Sequence, residues 1–231
     1  MNGESENTSP VILRSESPED LVRAATMLRD GKVLAVPTET VYGLAASIFR
    51  PEAIDRVVEM KGRAATAPLP ILMGSAADLP LLCRQMPRLT WRLIEHFWPG
   101  ALTLALPARL DVDRRLRAVT GTVACRVPAN KACLEMLEAL GAPVTGTSAN
   151  RSGHEPSALA LEAAGSLSIP PDGVLLDDDH VTGGAASTVV EVRDTFVVVL
   201  REGPVRIEDL RQATGARIVR VEELDNSVRP R

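Results

Sequence analysis

Short apolar runs alternate along the chain with stretches that are apolar on one side only. Runs of strand length fall at 11–13, 33–36, 70–73, 102–106, 122–127, 143–147, 174–176, 188–192, 196–200 and 217–221. Between them, apolar positions recur at helical spacing. In 18–29, Leu21, Ala24, Ala25 and Leu28 make one face. Ser17 is placed as its N-cap, Pro18 at its first position and Gly31 as its stop. Pro51 opens a second helix to Met60 with Ile54, Val57 and Val58 inward. Further helices are predicted over 74–82 and 87–97, broken at Pro80 and Pro87, and over 131–140 between Asn130 and Gly141. Two more are predicted over 157–165 and 207–214. The runs at 188–192 and 196–200 face each other across Arg193-Asp194-Thr195 and read as a hairpin. Interleaved strands and helices with one late hairpin predict an α/β fold on a twisted mixed sheet with flanking helices. One domain is expected over 10–222, between a polar tail at 1–9 and a loose tail at 223–231.

Composition narrows the class without naming a task. The chain has 231 residues, 45% hydrophobic and 24% charged, as in an ordinary globular protein. Aromatics are only 3%, so the core must come from Leu, Val, Ile and Ala. A formal net charge of -4 argues against non-specific wrapping of nucleic acid, while 26 Lys and Arg leave room for a local basic pocket. Cys83, Cys125 and Cys133 have no CxxC spacing, which points to buried thiols in a reducing compartment. With no basic-then-apolar start and no apolar run near the length of a membrane span, a cytoplasmic protein without membrane contact is expected.

Familiar catalytic signatures are missing: no GxxxxGK[ST], no GxGxxG after a strand, no GxSxG and no HExxH. Asp177-Asp178-Asp179-His180 reads as an acidic turn or a metal site. What stands out are polar segments directly after strands. Pro37–Leu44 carries Thr38 and Thr40 and the only tyrosine, Tyr42, expected to brace a turn from which Gly43 bends the chain away. The segment 145–150 carries Gly146, Thr147, Ser148 and Asn150. Such residues either make turns or line a crevice at the carboxyl ends of strands. Lys61 and Arg63 flank Gly62 just past a helix, as a solvated helix end or a phosphate clamp. Arg126 sits inside an apolar strand, where it needs an anion, supplied by a structural ion pair or by a ligand. Arg201 poses the same choice, and Ser187 follows Gly183-Gly184 into another strand.

The ordered set of short motifs resembles the threonylcarbamoyl-AMP synthase family of YrdC/Sua5-type proteins. It comprises PTETVYGL at 37–44, KGR at 61–63, PL at 68–69, WPGALTL at 98–104, Thr122 through Arg126 to Pro128, SANRSG at 148–153, STVVE at 187–191 and LREG at 200–203. The resemblance implies a single α/β domain around a large concave cavity. It implies condensation of L-threonine, bicarbonate and ATP into threonylcarbamoyl-AMP and pyrophosphate, with Mg²⁺ arriving on the ATP. The product would go to a threonylcarbamoyl-transferase complex that modifies tRNA, with tRNA itself a further contact. Carried over by motif, Thr38, Arg126 and Gly146 face the threonine. Lys61 and Arg63 face the phosphates as the catalytic cations. Thr122, Ser148, Asn150, Ser187 and Arg201 complete the ATP side. The loop from Gly62 to Ala67, rich in small residues, is expected to cover the site against water. Ala64, Ala67 and Leu72 depart from the residues the family often has there. Two other readings stay in view: an RNA- or tRNA-binding module without chemistry, and a carbamoyl-transfer module of the hydrogenase-maturation kind.

Overall fold

A computed structural model describes residues 9–62, 68–155, 157–177 and 185–227. The chain opens with β1 (Val11–Arg14), α1 (Pro18–Arg29), β2 (Leu34–Val36), β3 (Gly43–Ala45), α2 (Pro51–Met60) and β4 (Ile71–Leu72). It continues through α3 (Leu79–Leu82), α4 (Leu89–Phe97), β5 (Leu102–Pro107), β6 (Thr122–Arg126) and α5 (Lys131–Leu140). Then follow β7 (Val144–Thr145), β8 (Thr147–Ser148), α6 (Ala160–Gly165), β9 (Gly173–Leu176), β10 (Thr188–Val192) and β11 (Phe196–Arg201). The last elements are α7 (Ile207–Thr214), β12 (Arg217–Arg220) and α8 (Val221–Ser227).

The fold is α/β with mixed sheets and flanking helices, but the single expected sheet is two. Among the described residues one sheet has the order β1-β9-β2-β3-β8 and the other β12-β11-β10-β5-β6-β4-β7. The division falls at Gly146. The apolar run 143–147 was expected as one strand, yet β7 pairs antiparallel with β4 in the second sheet and β8 antiparallel with β3 in the first. Gly146 between them donates its amide to Pro70 O at 2.7 Å. A Cβ on it would lie 2.4 Å from Leu72 Cγ, so the crossing of the chain between sheets requires glycine there.

Local chemistry sets the helix ends as the sequence predicts. Ser17 caps α1 by accepting from Asp20 N, and Asn130 caps α5 by accepting from Cys133 N. Gly141 ends α5 at φ 68°. The hairpin of β10 and β11 is antiparallel. Three expectations change. The segment 74–82 does divide, but just before Pro80: a 3-10 turn over Ala76–Asp78 gives way to α3, and Pro80 sits in its first turn, where its missing N–H is tolerated. Gly43 does not bend the chain away; it starts β3, where a Cβ would meet Thr147 O at 3.4 Å. Part of the segment expected to be loose from 223 is helical in α8.

The two sheets share one core. Ala35 and Leu44 of the first sheet pack in the same cluster as Leu104, Val123, Cys125 and Val197 of the second. On its other face, the first sheet packs Leu34, Val36 and Leu175 against Leu21 and Leu28 of α1 and Met136 and Leu137 of α5. Burial of β2 on both faces explains its unbroken apolar sequence. In the second sheet β5 and β6 alternate. Leu102, Leu104, Leu106, Val123 and Cys125 face the core, while Thr103, Ala105, Thr122, Ala124 and Arg126 face a cavity. All three cysteines are buried free thiols.

A cationic cavity between the two sheets

The cavity has a volume of about 440 Å³, within the usual range for small-molecule sites. Both sheets line it. The first contributes the Thr38–Val41 turn, Gly43 and β8; the second contributes β4, β5, β6, β10 and the end of β11.

The turn between β2 and β3 is held by its own hydroxyls. Thr38 Oγ1 donates to Val41 O at 2.6 Å and accepts from the amides of Thr40 and Val41, while lying 2.9 Å from Thr40 Oγ1. Thr38 is therefore both turn residue and cavity wall, two alternatives that turn out to be compatible. Tyr42 braces the same turn from behind: its hydroxyl accepts from Asp177 N at 3.0 Å. Asp177 in turn accepts from Asn130 Nδ2 at 2.5 Å and from Ser15 Oγ at 3.2 Å. Its neighbours 178–180, read from sequence as an acidic turn or a metal site, lie outside the described residues.

Lys61 is not a solvated helix end. It is 4% exposed and closes α2, and its Nζ donates to Ser148 O at 2.6 Å, Asn150 O at 2.8 Å and Asn150 Oδ1 at 3.3 Å. Asn150 also donates through Nδ2 to Arg151 O and His154 O, so Lys61 and Asn150 together tie the 148–154 loop to α2. These contacts hold the ammonium at the wall of the cavity, where its charge is felt. Arg63 and the 63–67 loop lie outside the described residues.

Arg126 resolves the other way from a simple choice between structural pair and ligand site, because it has both features. Its side chain is 7% exposed and lines the cavity. Nε donates to Gly100 O at 2.9 Å and Nη1 to Thr40 Oγ1 at 3.2 Å. Nη2 lies 2.5 Å from Glu39 Oε1 in a buried ion pair. Arg201 donates from Nε and Nη2 to Ser187 O at 3.1 and 2.8 Å, and Ser187 Oγ lies 2.8 Å from Thr103 Oγ1. Burial, and after it the positive charge of Arg126, pull the Arg201 guanidinium below its ordinary value. The two arginines thus oppose each other across space that an anion would relieve. Thr122 completes this wall, its Oγ1 3.1 Å from Thr120 Oγ1.

Nine of the ten site residues expected from sequence line this one cavity: Thr38, Lys61, Thr122, Arg126, Gly146, Ser148, Asn150, Ser187 and Arg201. The tenth is Arg63. Thr40, expected from sequence in a turn or a crevice wall, also lines the cavity, whereas Glu39 and Thr103 were left without a role. The period-2 alternation of β5 could have placed Thr103 beside Thr122 and Arg126 on the polar face; nothing in the pattern pairs Glu39 with Arg126. Among the described lining residues three are cations, Lys61, Arg126 and Arg201, and none is a carboxylate. A chain of net charge -4 thus gathers positive charge in this cavity.

A family model described as Sua5_yciO_yrdC, telomere recombination, matches residues 26–203. The chain belongs to this Sua5/YciO/YrdC family. It is 35% identical to the threonylcarbamoyl-AMP synthases of Pyrococcus abyssi and Bacillus subtilis, over 83% and 87% of its own length. It spans only 56% and 58% of theirs. The putative threonylcarbamoyl-AMP synthase of Mycobacterium tuberculosis is 34% identical over 84% of this chain and 89% of that protein. Among solved structures of the family, P. abyssi Sua5 complexed with L-threonine matches with a TM-score of 0.84 at 34% identity. That match covers 91% of this chain and 62% of that one. Escherichia coli YciO shares the fold, with a TM-score of 0.77 at 24% identity over 88% and 99% of the two chains.

Proposed function

We propose that this chain is a nucleotidyltransferase that condenses L-threonine, bicarbonate and ATP into L-threonylcarbamoyladenylate and pyrophosphate. The observation that carries the reading is that, among the described residues, three cations and no carboxylate line the cavity formed by the ordered motifs. Every substrate of this reaction is anionic or bears a carboxylate, and a site without a P-loop must neutralise phosphate with side chains. The likeness to threonylcarbamoyl-AMP synthases over most of this chain, one of them in complex with L-threonine, supports the same choice.

In the proposed sequence the threonine amine and bicarbonate give an N-carboxylate and water. A carbamate oxygen then attacks the α-phosphorus, and the bond to the β-phosphate oxygen breaks as pyrophosphate leaves. The attacking oxygen is already anionic, so positioning and charge stabilisation do the catalysis. Arg126 would take the threonine carboxylate, beside Thr38 and the backbone at Gly146. Lys61 and Arg63 would stabilise charge on the phosphates, Lys61 through its field while it holds the Ser148–Asn150 loop. Thr122, Ser148, Asn150, Ser187 and Arg201 would hold the nucleotide. Among the described residues no three His, Cys, Asp or Glu come together, so Mg²⁺ enters this proposal only on the triphosphate, as part of the substrate. The adenylate would pass to a threonylcarbamoyl-transferase complex acting on tRNA.

Pyrophosphate release from ATP, with threonine and bicarbonate omitted in turn, tests the reading. Release should require both. Release that ignores either one overturns it, and salt-sensitive tRNA binding without pyrophosphate release would favour the RNA-binding alternative.

A further inference from the structure

Glu39 lies between two threonines that line the cavity, yet it is not itself part of the wall. It stands behind Arg126. Its Oε2 accepts from Ala129 N at 3.1 Å, which fixes the carboxylate to the backbone just beyond β6, and its Oε1 meets Arg126 Nη2 at 2.5 Å. The guanidinium is then held from three directions: by Glu39, by Gly100 O on Nε and by Thr40 Oγ1 on Nη1. Each terminal nitrogen carries two hydrogens, and Thr40 and Glu39 engage one apiece, which leaves the guanidinium hydrogens to donate at the cavity it lines. A carboxylate arriving in the cavity needs such donors in a fixed plane. The negative charge also offsets the repulsion between Arg126 and Arg201, which is felt at Arg201.

We propose that Glu39 is a positioning residue: it orients Arg126 so that the free face of the guanidinium receives the carboxylate of the amino-acid substrate. This rests on the proposed function for the identity of that substrate. Glu39 touches no reacting atom, so it sets amino-acid affinity and leaves ATP affinity alone.

The test is calorimetric binding of L-threonine to the wild type, Glu39→Ala and Glu39→Gln, alongside KM values for threonine and ATP and the Arg126 Nε–H signal in ¹⁵N spectra. Glu39→Ala should weaken threonine binding on the order of ten-fold, with the KM for ATP unchanged and the Nε–H signal broadened by loss of a fixed orientation. Glu39→Gln has one oxygen where Glu39 uses two, and no charge, so it should leave most of the loss in threonine affinity in place. Unchanged threonine affinity in Glu39→Ala overturns the inference alone, as does tighter binding, which would make Glu39 a competitor of the substrate. Equal loss of threonine and ATP affinity with an unaltered Nε–H signal also overturns it, since that marks a general structural effect. A wild type that binds no threonine removes the inference and the proposed substrate together.

Discussion

Lys61 shows how far a single residue can be read from sequence. The KGR spacing marked it as a cation near phosphate, yet its contacts with Ser148 O and with Asn150 came from a segment 87 residues away and carry no local signal. Motif identity was legible because residue type and order are in the chain; hydrogen-bond partners were not, because they depend on how two sheets meet. The ammonium has a double task, and substitution should reveal both. Lys61→Ala is expected to lower pyrophosphate release on the order of 10²-fold or more, as when a charge-stabilising group is lost. It should also lower the melting temperature, because Asn150 Oδ1 and two carbonyls lose their donor. Full turnover in the folded variant would remove Lys61 from catalysis. Arg126→Ala, by contrast, should raise the threonine requirement more than the ATP requirement; steady-state kinetics with each substrate varied separates the two.

At the scale of elements, strands inside apolar runs were legible, down to the two residues of β4, and β3 was not. Gly43–Ala45 has three residues and follows a polar turn, so its pairing with β2 and β8 left no periodicity to count. The break at Gly146 was equally silent: an apolar run says nothing about which sheet each half joins. Yet the break makes the cavity, since β7 and β8 leave it in different sheets. Gly146→Ala tests this. Its Cβ would strike Leu72 Cγ at 2.4 Å, and Leu72 is 2% exposed, so it has little room to move. We expect a loss of about 1–3 kcal/mol, read by denaturant unfolding, with partial rescue by Leu72→Ala, which opens that space.

A second element-level link is the clasp of Asp172, which joins α2 to the start of β9. Arg56 donates to both its oxygens at 2.7 and 3.0 Å, and Val33 N donates to Oδ2 at 2.7 Å. Burial acts to raise the Asp172 carboxyl, but the Arg56 and Val33 hydrogen bonds and the charges of Arg56 and Lys32 outweigh it and hold it below the usual range. A carboxyl depressed in the folded state adds stability above its unfolded value, near pH 4, and that contribution disappears as pH falls through the folded value. Asp172→Ala should therefore cost about 1–2 kcal/mol at neutral pH, for a buried amide and a guanidinium left short of an acceptor. The gap from wild type should close below about pH 4 in acid-unfolding curves; a gap independent of pH would remove the charge from the account.

For the whole molecule, what matters is that one cavity belongs to two sheets. The sequence placed strand-end residues in one crevice without showing that they come from different layers, because a single-sheet reading accounts for the same apolar runs. With walls from both sheets, a ligand in the cavity bridges them and is lost when either opens. Binding to the folded chain alone stabilises it by about 2.7 kcal/mol at a ligand concentration 100 times Kd. For a chain of this size each kcal/mol moves the melting temperature by roughly 2–4 °C. ATP with Mg²⁺ and L-threonine, each near 100 times its own Kd, should therefore raise Tm by several degrees apiece. If both occupy the one cavity on complementary anion sites, the two shifts should add. Neither shift should survive Arg126→Ala intact: that for threonine should vanish, while that for ATP, resting on Lys61, Arg201 and the 148–150 loop, should largely remain. Equal loss of both would mean that the two ligands do not divide the cavity as proposed, and that the wall formed by β6 serves them jointly.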